Sequence, residues 1–176
     1  MAEILELIRG EKRAMYHSLI PQIKALVGSE TDTIANLSSV SAALKEAFGF
    51  LWVGFYLVKS KELVLGPFQG PVACTRIQLG KGVCGTSWST KQTLLVENVD
   101  EFPGHIACSS FSKSEIVVPL IKNSEVIGVL DIDSSDLATF DAIDEHELNE
   151  LCTWLVRCWC KIRNVRCSRF TSFYSR

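Results

Sequence analysis

Apolar positions along the chain change period several times, and each change marks a predicted element. Ile4, Ile8, Met15, Leu19, Ile23 and Leu26 recur near helical spacing, with Gly10 and Pro21 predicting breaks in one continuous helix. After the polar stretch GSETDT (28–33), Ile34, Leu37, Val40, Leu44 and Ala47 share one face of a second predicted helix. From Phe50 the period shortens. FLWVGFYLV (50–58) is aromatic and β-branched, and with Leu63–Leu65 beyond Lys61-Glu62 it predicts a hairpin. Gly66, Pro67, Gly70 and Pro71 predict a turn-rich segment before a short strand at Thr75–Leu79. GKGVCGTSWSTKQ (80–92) predicts a loop opening a short helix, followed by a strand at Leu94–Val96. The run 98–113 (NVDEFPGHIACSSFSK) keeps no period and predicts a long irregular loop, a common home for function. Glu115–Ile121 and Val126–Ile132 predict two strands joined by a tight turn at Asn123-Ser124. From Asp144 onward, Leu148, Leu151, Cys152, Leu155 and Trp159 follow an amphipathic helical pattern. Helices, a block of antiparallel strands, then a helix predict an α+β domain: a central antiparallel sheet flanked by N-terminal helices and a C-terminal helix.

Composition narrows the function classes. With 176 residues, 47% of them hydrophobic and 22% charged, the chain has the apolar content of one packed domain and not of a disordered segment. The net charge of −2 disfavours a polyanion, so no nucleic-acid partner is expected. No apolar run reaches the ~18–20 residues of a membrane span, and MAEILELIRGEKRAMY at the N-terminus has no signal-peptide core. A soluble cytoplasmic protein with no membrane association is expected. Residues 161–176 (KIRNVRCSRFTSFYSR) hold five Lys/Arg and no acid, which sets them apart as a basic C-terminal tail behind a domain spanning residues 1–160.

The cysteines and acids carry the candidate chemistry. Seven cysteines without an export signal argue against a secreted disulfide framework, and none of them forms a C-x-x-C pair. With only His17, His105 and His146 as imidazoles, a Cys/His zinc site is not expected. Cys152, Cys158 and Cys160 fall on the C-terminal helix, where cysteine usually serves as a small apolar residue. Cys74, Cys84 and Cys108 fall in loops, where a thiolate can find stabilising charge, and could supply a nucleophile and resolving partners. Asp131 and Asp133 share one face of a strongly apolar strand. Counting back from the turn places Glu115 opposite Asp131 or Ile132. Three acids in a pocket suit a cationic ligand group or a proton donor. Trp52 and Tyr56, four apart and so on one strand face, could line that pocket by cation–π contact. Structural roles are also open: solvent-facing strand ends for the aspartates, core packing for the aromatics.

Seven short words occur in order: WVGFYL (52–57), ELVLGPFQG (62–70), ACTRI (73–77), GVCGT (82–86), GHIAC (104–108), SEIVVPL (114–120) and VIGVLDIDS (126–134). Over about residues 30–155 the chain resembles the free methionine-R-sulfoxide reductases, stand-alone GAF-domain enzymes. The resemblance implies that Cys108 is the nucleophile, that Cys74 is its resolving partner, and that Cys84 takes part in a second exchange or an alternative disulfide. It also implies a substrate pocket of Trp52, Tyr56, Glu115, Asp131 and Asp133 for free L-methionine-(R)-S-oxide. Electrons would come from thioredoxin, ultimately from NADPH, with no bound cofactor and no metal, in a homodimer. Two departures from the family pattern stand out. Ser109-Ser110 follow the nucleophile's word where an acid is frequent, and TWLVRCWCKIRNVRC (153–167) is unusually rich in cysteine. The competing expectations are a non-catalytic GAF module that senses a small molecule, and a redox or iron sensor using the loop cysteines as ligands.

Overall fold

The computed structural model describes residues 4–105 and 110–163, the last five of these as helix backbone only. The chain enters extended. Leu5 and Leu7 turn inward while Ile4 and Ile8 stay exposed, and the Gln22 side-chain amide pairs with both the N–H and the C=O of Glu6. Helix α1 (Lys12–Gly28) starts only after Gly10, capped by the Glu11 carboxylate on the N–H groups of Arg13 and Ala14. The break expected at Pro21 does not occur. Pro21 lies on the exposed face with His17, four residues back, so the hydrogen bond it forfeits falls on the side water reaches. Helix α2 (Thr33–Phe48) follows, capped by Asp32 on the N–H groups of Ile34 and Ala35.

Among the described residues six strands form one antiparallel sheet: β1 (Trp52–Lys59), β2 (Glu62–Gln69), β3 (Arg76–Gln78), β4 (Leu94–Val96), β5 (Ser114–Lys122) and β6 (Glu125–Ser134), in the order β3-β2-β1-β6-β5-β4. Both tight hairpins turn on two residues of positive φ, Ser60-Lys61 and Asn123-Ser124, the turn whose twist matches antiparallel strands. The turn expected at Gly66-Pro67 is instead strand. Gly54 faces Phe68 and Tyr56 faces Leu65, so Gly66 and Pro67 together oppose Phe55 in a bulge. A bulge is where a strand tolerates a proline that cannot donate to the ladder.

The two sheet faces have different coverings. Val53, Phe55, Ile116, Val118, Leu120, Leu130 and Ile132 pack beneath α1, α2 and the C-terminal helix α4 (Ala142–Arg163). At the centre of that layer Tyr16 donates 2.8 Å to the fully buried Asp144, which also pairs with Lys12, fastening α1 to α4. The opposite face carries Trp52, Tyr56, Leu63, Ile77, Val117 and Val129, and helix α3 (Gly82–Thr90) lies on it. Gly85 lets α3 approach closely, because a Cβ there would stand 2.3 Å from the Gln78 carbonyl. The helix α4 runs past residue 160, where the tail was expected to begin, and residues 164–176 lie outside the described residues. Among the described residues no helix is long and apolar enough to cross a membrane.

Candidate functional site

The register between β5 and β6 determines which acids meet. Ile121 pairs with Val126, as counting from the turn predicts, and a constant register would then set Glu115 against Ile132. It lies instead against Asp133. Leu120 already pairs with Gly128, so β6 carries Ile127 as an extra residue, and this one-residue bulge moves Glu115 onto the face shared by Asp131 and Asp133. The expected partners, Asp131 or Ile132, are corrected accordingly. None of this is a solvent-facing strand end: Glu115 is 6% exposed and Asp131 7%, with Asp133 half-buried.

Helix α3 adds a thiol to the same place. Cys84, in its first turn, points its Sγ at Glu115 Oε1 across 4.0 Å. Cys84, Glu115, Asp131, Asp133, His105, Lys81 and Ser112 line a cavity of about 30 Å³. Burial, reinforced by Asp131 and Asp133, pushes the Glu115 carboxyl well above its ordinary range. Burial and then the Asp133 charge do the same to Asp131, against the opposing hydrogen bonds of Cys84 and Glu115. Asp133 is pushed up to about 6 by burial, with the Ser112 hydrogen bond pulling the other way. Cys84 is pushed well up by burial and by the Asp131 and Glu115 charges, so it stands as a thiol and not a thiolate. Burial lowers the His105 pKa below the usual imidazole value, opposed by Asp100. Asp131 Oδ1 is buried without a hydrogen-bond partner among the described residues.

The aromatic pair sits on this face but is used differently from a pocket wall. The Trp52 indole stacks on Tyr56 at 5.9 Å and on Phe68 at 5.4 Å, and it folds over Gly54, which lies directly across the ladder from Asp131. A Cβ at Gly54 would stand 2.4 Å from the indole. Both rings are buried, and both donate to the segment bearing Cys74: Trp52 Nε1 to Pro71 O at 3.1 Å, Tyr56 Oη to Cys74 O at 2.9 Å. Neither ring lines the cavity. Cys74 itself is half-buried. Cys108, the expected nucleophile, lies outside the described residues.

Three cavity residues escaped sequence reasoning. Ser112, whose hydroxyl donates 2.5 Å to Asp133 Oδ1, lies in an aperiodic loop where no spacing signals a side chain's direction. Lys81 precedes α3 without a capping bond of its own, and His105 belongs to the GHIAC word but had been given no role. As an arrangement, the site can hold a proton near neutrality or accept a cationic group, and it can offer one thiol and two carboxylates to a metal. The ligand atoms of Cys84, Glu115 and Asp131 all lie within 4.8 Å of one another.

A GAF domain model matches residues 32–155. The chain is 59% identical to GAF domain-containing protein A of Dictyostelium discoideum, over 86% of this chain and 96% of that one. It is 46% identical to the free methionine-R-sulfoxide reductase of Escherichia coli, over 80% and 86% of the two chains. Its fold superposes with a TM-score of 0.90 on the free methionine-R-sulfoxide reductase of Neisseria meningitidis, solved in complex with its substrate, at 52% identity over 92% of this chain and 98% of that one.

Proposed function

Since the chain belongs to the free methionine-R-sulfoxide reductases of the GAF-domain family, we propose that it reduces free L-methionine-(R)-S-oxide to L-methionine. The observation that carries this reading is the cluster of buried Glu115 and Asp131 with half-buried Asp133 on the sheet face opposite the main helices, beside the Cys84 thiol. A cluster whose acids titrate above their ordinary range keeps a proton available near neutral pH, and one of its carboxyls gives that proton to the sulfoxide oxygen. The Cys108 thiolate attacks the sulfoxide sulfur. The S–O bond breaks, methionine leaves with its sulfur reduced, and Cys108 is oxidised to the sulfenic acid. The Cys74 thiol condenses with that sulfenic acid, water departs, and a disulfide forms. Cys84 serves a second exchange or an alternative disulfide. Thioredoxin, kept reduced ultimately by NADPH, opens the disulfide by thiol–disulfide exchange, so no bound cofactor is required.

The same acids account for selectivity toward the free amino acid, whose ammonium a carboxylate cluster holds and whose peptide-bound form has lost that group. In this reading Trp52 and Tyr56 serve the site by holding the Cys74 segment in place. The working protein is a cytoplasmic homodimer repairing oxidised methionine, its catalytic unit extending to the end of α4, with the basic tail behind it.

The test follows NADPH loss with thioredoxin, thioredoxin reductase and free L-methionine-(R)-S-oxide, using the (S) epimer and a peptide-bound sulfoxide as controls. Turnover of the free (R) epimer alone, abolished in Cys108→Ser, is the expected result. A folded, fully reduced protein without turnover overturns the reading in favour of a sensing module.

A further inference from the structure

We propose that Cys84, Glu115 and Asp131 form a binding site for a single borderline divalent cation of the zinc type, which closes the reductase site when occupied. The inference rests on the reductase reading only for its consequence, not for the site. Three observations carry it. The Cys84 Sγ, a Glu115 oxygen and an Asp131 oxygen lie within 4.8 Å of one another, with Sγ and Glu115 Oε1 at 4.0 Å. Zinc at tetrahedral angles, with sulfur at about 2.3 Å and oxygen at about 2.1 Å, holds its ligand atoms about 3.4–3.6 Å apart, so small side-chain shifts bring the trio onto one ion. Asp131 is 7% exposed and its Oδ1 has no hydrogen-bond partner among the described residues, an acceptor in want of a cation. The cavity that the three help to line, with Lys81, His105 and Ser112 among its other walls, measures about 30 Å³, the space of one ion or one water.

The donor set sets the class of ion. One thiolate with two carboxylates favours a borderline cation over hard Mg²⁺, which keeps its own waters and seeks oxygen alone. On binding, the ion displaces the Cys84 thiol proton, and any protons held by Glu115 and Asp131, to the buffer; no electron moves. The three ligands leave a fourth position for water. Occupancy would withdraw Cys84 from thiol exchange and spend the carboxylates that would otherwise hold an ammonium or a proton.

The experiment titrates the fully reduced protein with Zn²⁺ by calorimetry and with Co²⁺ by absorption, with Mg²⁺ as the hard-ion arm. One tight Zn²⁺ per chain and a thiolate-to-cobalt band are expected, and no heat from Mg²⁺. The band should vanish in Cys84→Ala and survive in Cys158→Ser. Asp131→Asn, close to isosteric, should weaken Zn²⁺ by at least about 100-fold, since losing even an outer partner of a ligand costs about 10–100-fold. Zn²⁺ affinity and the cobalt band unchanged in Cys84→Ala would overturn the site, as would equal binding of Mg²⁺. The titration needs no turnover, so an inactive protein that binds Zn²⁺ at Cys84 keeps the site and loses the reductase reading. An active protein without that binding does the reverse.

Discussion

The Tyr56 hydroxyl donates a 2.9 Å hydrogen bond to the backbone carbonyl of Cys74, tying a core strand of the sheet to the loop that carries the proposed resolving thiol. Trp52 makes the parallel tie to Pro71 O at 3.1 Å, and the two rings stack. Because Tyr56→Phe keeps the ring and deletes the tie, it separates clamping from substrate contact. The release of the first methionine per chain should stay within about twofold of wild type while steady-state turnover falls, with about 1 kcal/mol of stability lost. Rapid-quench measurement of the first turnover beside the steady-state rate checks this. Equal losses in both would assign the hydroxyl to the substrate instead.

Ser112 holds Asp133 through a 2.5 Å hydrogen bond that favours the ionised carboxylate. In Ser112→Ala that support is gone, and the Asp133 pKa should climb above about 6. Carboxyl-carbon NMR of selectively labelled protein reads the shift directly. If the protonated acid is the form used in turnover, the decline of kcat/KM with rising pH moves to higher pH in the variant.

The acid cluster should make the fold less stable as pH rises. A group whose folded pKa stands above its unfolded value contributes stability below the unfolded value and loses it as pH climbs through the folded one. Glu115, Asp131 and Asp133 are all raised, Asp133 from 3.8 to about 6, so the loss opens near pH 4 and continues through and beyond pH 6. Asp131→Asn removes one of the three charges and should stabilise the protein at pH 8 by roughly 1–2 kcal/mol, with little change at pH 4. Thermal unfolding of both proteins across this window checks it. A wild-type Tm that climbs steadily to pH 8 would contradict the burial of the cluster.

Gly54 leaves no room for a side chain. A Cβ there would stand 2.4 Å from the Trp52 ring and 2.5 Å from Phe68 Cβ, so Gly54→Ala should displace the indole and cost about 2–3 kcal/mol. Urea unfolding measures the cost, and Trp fluorescence reports the displaced ring. A loss below about 0.5 kcal/mol would show that the stack yields freely.

Much of the fold was legible because its signals are local. The first hairpin, which turns at Ser60-Lys61 one residue before the expected Lys61-Glu62, the strand at 94–96, the strand pair expected at 115–121 and 126–132, and the cysteine-bearing helix at 82–90 follow from alternation, β-branching and turn residues. The failures share a cause. Ile4 and Ile8 suggested helix by spacing, yet Leu5 and Leu7 pack inward from an extended chain, and Pro21 sits where water makes its missing donor tolerable. Local pattern does not state which side of a segment will find a partner.

For the site, residue types and words alone suggested the chemistry: Asp131 and Asp133 share a face because a strand alternates, whereas Cys84, expected in a loop, sits in the first turn of α3. Which groups meet was decided by tertiary structure. The single extra residue Ile127 brings Glu115 to the aspartates, the approach of α3 over Gly85 supplies Cys84, and a loop with no period delivers Ser112. Alternation propagates along one strand without loss, whereas the register between two strands changes with one inserted residue, and only the packed sheet determines where that residue goes.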